Sequence, residues 1–295
     1  MTHGFLSPTG ATPERKSDKL ECIVDFVRDS INSYARSALP FVSDAHILVH
    51  ENVVAATDSI GIAESLSDLH MLDDLYETMT LNHVSRRASK TQGVALLSLY
   101  SKGFTKPPVL RGHDDATNDG TNDKDSRIRT FIDKLKLAVR REETHGHLPI
   151  CWGVLTAALG LSLGADILSF KQSHLSLPVL FTFNITDFVH LERSQFLHLF
   201  LYARGLLSAG VRMNIIGPYG AQQLLLYAIR PIVTAESKAC GTLRTGLKHS
   251  RDRFDASVPS IDENALTFNG PATTWPLGEI LAARHDLQHS RIFNS

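Results

Sequence analysis

Histidine pairs are the residues of this chain best suited to chemistry. Three pairs among the 14 histidines have spacings that let two imidazoles reach one ion: His145/His147, His46/His50 and His285/His289. In a chain so rich in histidine such pairs also arise by chance, and surface or capped histidine is the ordinary interpretation. The pairs leave a metal-binding protein or a metal-dependent enzyme open as an alternative.

Arginines form the second set of candidates. Arg86, Arg87 and Lys90 make a basic cluster that could meet an acidic partner or a phosphate, although a solvated helix face is the ordinary interpretation. Arg204 and Arg212 stand eight residues apart in an apolar helix and therefore share a side. A buried arginine must be paired or reach an interface, which makes Arg212 the better functional candidate.

Small residues follow Arg204 in the same helix and would let a second helix approach closely. They are Gly205, Ser208, Ala209 and Gly210. The sequence leaves open whether they serve internal packing or a dimer seam.

Motifs for phosphate, metal or acyl chemistry are absent from the sequence. No GxxxxGK[ST] loop, no HExxH and no GxSxG occurs in the 295 residues. The residues alone therefore favour a helical binding protein over an enzyme.

Composition excludes several function classes. The chain is 43% hydrophobic and 21% charged, with a net charge of -1, so no global field draws nucleic acid or an anionic membrane to it. Cys22, Cys151 and Cys240 form no CxxC pair, which favours a reducing compartment. The first residues have no apolar core of a secretory signal, and the cytoplasm is the predicted location.

The stretch 147–227 contains the elements that must position these residues. It holds two apolar runs, 148–165 and 196–211, and the first approaches the roughly 18 residues that suffice to cross a bilayer. Asp166 closes that run and Arg204 interrupts the second, which is costly in lipid. We therefore predict two buried central helices rather than membrane spans.

Helical spacing of apolar residues recurs through most of the chain. It predicts an all-α, single-domain helical bundle of roughly 8–10 helices with disordered insertions. Pro40 is expected to end one helix and start the next. The predicted organisation is a flexible tail at 1–17, a helical domain at 18–240 with insertions at 111–126 and 166–192, and a loop with a C-terminal tail at 241–295.

Four blocks of sequence carry a family resemblance. They are TLNHVSRRASKTQGVALLSLYSKGF (80–104), HLPICWGVLTAALGL (147–161), LLSAGVRMNIIGPYGAQQLL (206–225) and RHDLQHSRIFNS (284–295). In order and spacing they resemble the UreF family of urease accessory proteins, in its fungal or plant-like form. The family's usual opening, LPxGSFxxSxGLE, has SPTGATPERKSD in its place here.

The resemblance implies an all-α protein that dimerises and is not itself an enzyme. UreF joins UreD (also called UreH) and the GTPase UreG on the urease apoprotein, in a complex that delivers nickel and modulates the GTPase. No cofactor would be stably bound by this chain, because the complex handles the nickel.

The resemblance also implies a set of partner-binding residues. Pro149, Gly153 and Ala209 match the family's blocks without an implied binding role. The implied partner-binding residues are Arg86, Ser89, Gln92, Gly93, His147, Arg212, Gly217, Gln222, Arg291, Phe293 and Ser295. The last three belong to the tail that holds UreD/UreH in the family.

Overall fold

Every regular element of the described chain is helical, which confirms the all-α prediction. The structure, a computed structural model, describes residues 13–54, 61–105, 119–160, 182–247 and 270–285. The α-helices in chain order are α1 (Pro13–Val49), α2 (Gly61–Met79), α3 (His83–Leu99), α4 (Asp119–Arg140), α5 (Leu148–Ala158), α6 (Thr182–Arg212), α7 (Pro218–Gln223), α8 (Arg230–Ala239) and α9 (Pro276–His285). Wider π-helical turns follow α1, α3 and α7 at His50–Val54, Tyr100–Phe104 and Leu224–Ile229.

Helix α1 runs through Pro40 without ending, so the predicted break at that residue is wrong. Proline fits the helical φ, but it has no N–H for the carbonyl of Arg36 four residues earlier. The backbone N–H of Ala272 donates to that carbonyl instead, at 3.3 Å. Because α1 begins at Pro13, the predicted tail 1–17 is also too long, and residues 1–12 lie outside the described ranges.

Helix α5 is buried almost throughout and packs between α1 and α3. The backbone can approach this closely because Gly153 carries no side chain. A Cβ there would lie 2.7 Å from the carbonyl oxygen of Val42 and 2.8 Å from the Cβ of Ala45. The interpretation of this run as a buried helix is confirmed for 148–158, while residues 161–165 lie outside the described ranges.

Two apolar cores share α1 as a common wall. The second half of α1 packs with α2, α4 and α5 around Phe41, Phe131 and Ile150. Another face of α1, from Val27 to Val42, packs with α6 and α8 around Leu39 and Leu199. The central pair is therefore α1 and α5.

The predicted second central helix, 196–211, is only half-buried in α6. Its inner face buries Leu199 and Leu207, whereas Leu197, Leu201 and Arg204 are exposed. The apolar run was misleading because it includes residues that face away from the core.

Both predicted insertions are partly helical. Helix α4 begins at Asp119, so 119–126 belong to it, and α6 begins at Thr182, so 182–192 belong to that helix. Acidic residues such as Asp119 and Asp123 favour a helix N-terminus as readily as a turn. The β-favouring residues of 182–189 show that propensity is a weak guide where tertiary context competes. Residues 111–118 and 166–181 lie outside the described ranges.

Membrane spanning was the other interpretation of the apolar runs. None of the helices in the described ranges combines the length and the apolarity needed to cross a bilayer.

Candidate functional site

A buried carboxylate on α2 organises the loop that leads into α5. Asp73 accepts hydrogen bonds from the hydroxyl of Thr144 at 2.6 Å and from the backbone N–H groups of His145, Gly146 and His147 at 2.8, 2.6 and 3.0 Å. Its side chain is almost fully buried. Donors gathered in this way compensate the charge of a buried carboxylate, so Asp73 fixes the course of the loop.

His147 sits at the N-terminus of α5 and joins three helices. Its Nε2 lies 2.6 Å from Glu77 Oε2 on α2, and its Nδ1 lies 3.2 Å from Ser89 Oγ on α3. The same Ser89 oxygen accepts the backbone N–H of Leu148 at 3.0 Å. A neutral imidazole protonated on Nε2 satisfies all these contacts, and burial lowers the pKa of His147 against the opposing influence of Asp73 and Glu77.

Glu77 also pairs with most of the predicted basic cluster. Its Oε1 lies 2.9 Å from Lys90 Nζ and 3.4 Å from Arg86 Nη1. Burial alone would raise the pKa of Glu77, but hydrogen bonds from Lys90 and His147 outweigh it, and the pKa lies below its usual range. Arg86 and Lys90 thus belong to an internal network, and Arg87 is the exposed member of the cluster.

Gly93 allows α3 to lie directly against this loop. A Cβ at Gly93 would come within 2.1 Å of the carbonyl oxygen of Gly146 and 3.1 Å of Cys151 Sγ. Gln92 beside it is exposed. We call the set Asp73, Glu77, Ser89, Lys90 and His147 the polar clamp, because it ties α2, α3 and the start of α5 together.

A cavity of about 390 Å³ lies between α1, the α2–α3 connection and the segment 270–285. Its walls include Tyr34, Tyr76 and Tyr202 among many hydroxyl groups. Tyr34 OH lies 3.0 Å from His198 Nε2, and its ring stacks on Tyr202 with centroids 3.9 Å apart. Burial raises the pKa of Tyr34 and lowers that of His198 to about 3, so these groups stay neutral at physiological pH.

The second predicted set lies on other helices, at the α6–α7 turn. Arg212, Gly217 and Gln222 are exposed there. Arg204 is exposed as well, so the argument for Arg212 from burial is wrong. Both arginines are exposed because the face of α6 that packs against the core is the one with Leu199 and Leu207.

Large apolar side chains surround the α6–α7 turn at the surface. Tyr219 and Tyr227 are 87% and 80% exposed, and the other exposed apolar residues of this hairpin are Leu197, Leu201, Met213, Ile215 and Leu226. A Cβ at Gly205 would meet nothing within 4 Å, and Ser208 is exposed. The small residues at these two positions therefore face outward and do not serve internal packing. We call these residues the α6–α7 surface.

Histidines of two predicted pairs contact protein groups. His145 lies 3.3 Å from Asp74 Oδ1 and 3.2 Å from Lys90 Nζ, and His46 Nδ1 lies 3.0 Å from Thr156 Oγ1. Within the described ranges no group of three or more His, Cys, Asp or Glu side chains could hold a metal ion.

The tail predictions cannot be placed. The side chain of His285 and the residues His289, Arg291, Phe293 and Ser295 lie outside the described ranges.

Asp73 and Glu77 are the members of the polar clamp that sequence reasoning missed. Asp73 falls in helical register with the buried Leu69, Leu72 and Tyr76. A carboxylate on the apolar face of a helix is a signal of a buried, paired charge. The sequence contains this signal, but it does not show which groups pair with Asp73, because the loop 144–147 is some 70 residues away.

The fold and the polar clamp together define an all-α protein whose main buried polar network joins helices. Comparison with known proteins then gives its family: the sequence matches UreF over residues 21–180 and 186–228. The chain belongs to the UreF family of urease accessory proteins.

Two relatives illustrate the similarity. Urease accessory protein 6 of Cryptococcus neoformans var. grubii serotype A is 38% identical over 309 aligned positions, which cover 99% of this chain and 88% of the relative. An uncharacterised urease accessory protein, UreF-like, of Schizosaccharomyces pombe is 22% identical over 79% of this chain and 71% of the relative. No solved structure matches the chain.

Proposed function

We propose that this protein is an adaptor in urease maturation. It would join a UreD/UreH protein and the GTPase UreG on the urease apoprotein, in a complex that delivers nickel and modulates the GTPase. The observation that carries the proposal is the 38% identity to a urease accessory protein across 99% of this chain. Nickel is the cargo of the complex, and the chain itself would act without a stably bound cofactor and without catalysis.

The polar clamp supports this role by making a rigid body. His147, Glu77 and Asp73 form hydrogen bonds with neighbouring helices and with the loop before α5. The cavity beside them has many hydroxyl groups in its lining. Such an arrangement suits a protein that presents a fixed outer surface to others.

We also propose that the α6–α7 surface is where a second copy of this chain binds. Exposed Tyr219 and Tyr227 supply apolar area that a soluble monomer rarely leaves bare. Gly205 and Ser208 would let a facing helix approach closely. Arg212 at the edge of this surface would then pair across it or meet the next partner.

Gene deletion in a urease-positive host tests the adaptor role. We expect the deletion strain to make urease apoprotein with little activity at limiting nickel, and the wild-type gene to restore activity. Undiminished urease activity in the deletion strain at limiting nickel would overturn the proposal. Assays with excess nickel show whether the defect lies in metal delivery.

Sedimentation of the purified full chain tests the proposed homodimer. We expect a dimer that Tyr219→Asp with Tyr227→Asp converts to a folded monomer. A wild-type chain that sediments as a monomer at tens of micromolar would contradict this assignment.

A further inference from the structure

Two backbone carbonyls on different parts of the molecule receive donors from another segment. The first is that of Arg36, whose usual donor four residues later is missing because Pro40 has no N–H. The backbone N–H of Ala272 donates a hydrogen bond to this carbonyl at 3.3 Å. The lost helical hydrogen bond is thus replaced by one that fastens a distant segment to α1.

Side chains around Arg36 reinforce the same junction. Arg36 pairs with Glu236 of α8 at 2.9 Å and also donates to the side-chain oxygen of Asn32. That oxygen accepts the hydroxyl of Thr274 at 3.3 Å. Three segments, α1, α8 and 270–275, therefore meet in one small polar node.

The second carbonyl is that of Ala282, in the last turn of α9. The side-chain amide of Asn82 donates to it. The oxygen of the same Asn82 side chain accepts the N–H of Ser85 at 2.8 Å and so caps α3. One asparagine thus serves both the start of α3 and the end of α9.

Between these two ends the segment is held by Trp275 and spans the cavity. The ring of Trp275 meets Phe26 of α1 edge-on, with centroids 5.4 Å apart. Gly278 makes room for the indole, since a Cβ there would come within 2.2 Å of the ring. The lining of the cavity includes Trp275, Gly278 and Ala282, so the middle of the segment lies over open space.

We propose that residues 270–285 form a strap fastened at two points, and that Pro40 and Asn82 are the positioning residues that fasten it. Pro40 acts by withholding a donor from Arg36, and Asn82 acts by supplying one to Ala282. The strap fixes the last turn of α9 beside the N-terminus of α3, and thereby fixes the point to which 286–295 are joined.

The consequence for binding rests on the proposed function. If 286–295 hold a UreD/UreH partner, the strap fixes the attachment point of that partner-binding segment. Fixing the attachment point reduces the ordering cost of binding. Loosening either anchor should then weaken retention of that partner without unfolding the protein.

Two substitutions in the full-length chain separate the anchors from the fold. Pro40→Ala restores an N–H that competes with Ala272 for the Arg36 carbonyl. Asn82→Asp keeps the oxygen that caps α3 but removes the amide donor to Ala282. Asn82→Gln, with a longer amide, is the conservative variant that could reach Ala282 again. Lys134→Ala, at an exposed position of α4 remote from both anchors in the sequence, is the control.

Amide hydrogen exchange of the strap is the readout. Loss of one backbone hydrogen bond at an anchor should speed exchange in 270–285 about five- to tenfold, while α5 peptides 148–158 keep their rates. Asn82→Gln should exchange more slowly than Asn82→Asp. The proposal would be overturned if the amide of Ala272 in the wild type exchanged at the rate of an unprotected amide. It would also be overturned if exchange in 270–285 were unchanged in both Pro40→Ala and Asn82→Asp.

Co-purification with the UreD/UreH homologue distinguishes this inference from the proposed function. We expect both anchor variants to retain less partner than wild type does. A wild-type chain that retains no partner would reject the proposed function but leave the exchange test of the strap valid. Equal retention by wild type and by variants with a loosened strap would reject its role in binding.

Discussion

At the scale of single residues, the structure depends on a few buried polar groups that sequence patterns reveal only in part. His147 and Ser89 were predicted as partner-binding residues, yet both spend their hydrogen bonds inside the molecule. The loop that they hold accounts for these contacts, and a role of the two residues in partner binding stays a prediction. The sequence shows which residues stand out, but the role of each depends on a partner far along the chain.

Asp73 should be the most sensitive carboxylate of the polar clamp. Asp73→Ala leaves the donors of Thr144, His145, Gly146 and His147 without their acceptor, so the free energy of unfolding should fall by about 2–4 kcal/mol. Urea denaturation followed by circular dichroism measures it.

Asp74 next to it provides the matched control. Its side chain is 66% exposed and meets His145 at 3.3 Å, so Asp74→Ala should cost less than about 1 kcal/mol. Equal losses in the two variants would contradict the assignment of Asp73 as the residue that fixes the loop.

His198 should make stability fall in acid. Burial depresses its pKa from 6.5 to about 3, so the unfolded chain binds the proton first as the pH falls. Its contribution is complete above pH 6.5 and is lost progressively between that pH and about 3, by up to about 1.4 kcal/mol per pH unit.

Substitution of His198 tests this dependence. His198→Gln keeps a polar group near Tyr34 but does not titrate, so its free energy of unfolding should change less between pH 6.5 and 5 than that of wild type. Tyr202→Phe removes a hydroxyl whose pKa burial raises to about 12, so this variant should keep the wild-type slope between pH 6.5 and 5. A His198→Gln slope equal to that of wild type would show that His198 is not the group responsible.

At the scale of elements, the helical spacing of apolar residues predicts the helices correctly, but local composition predicts some of their ends wrongly. Pro40 was expected to break a helix, and it does not, because the carbonyl it leaves free finds Ala272. The turn-rich residues before Ile128 were expected to be a loop, and from Asp119 they are helical. In both cases a distant contact or the charge preference of a helix end outweighs the local signal.

Glycines on α3 and α6 should respond oppositely to the same substitution. Gly93→Ala drives a Cβ to 2.1 Å from the backbone oxygen of Gly146, so α3 must move away and stability should fall by several kcal/mol. Gly205→Ala meets nothing within 4 Å and should stabilise the monomer by about 0.5–1 kcal/mol through helix propensity.

Thermal or urea denaturation of the two variants compares these effects. A Gly93→Ala chain as stable as wild type would mean that α3 does not lie against the loop at Gly146. If the α6–α7 surface binds a second copy, Gly205→Ala should also weaken the dimer while it stabilises the fold. That combination would not arise from a glycine that faces only solvent.

At the scale of the whole molecule, the fold class and the family could be predicted, while the arrangement of the site could not. The blocks at 80–104, 147–161 and 206–225 lie within the ranges that match UreF. The structure divides them: the first two supply Ser89, Lys90 and His147 to the polar clamp, and the third supplies Met213, Ile215 and Tyr219 to the α6–α7 surface. A run of similar residues shows that a segment matters, but burial decides whether it supports the fold or meets a partner.

The central claim is that this protein binds other urease accessory proteins, and co-purification tests it most directly. The full chain is co-expressed with UreD/UreH and UreG homologues from its own host, and the complex is isolated through a tag on this chain.

Arg212→Ala and Arg87→Ala, both at exposed positions, are compared with wild type. We expect wild type to retain the partners and Arg212→Ala to lose more of them than Arg87→Ala, because Arg212 borders the apolar α6–α7 surface. A folded wild-type chain that retains neither homologue would contradict the account, and equal retention by both variants would contradict the importance given to Arg212.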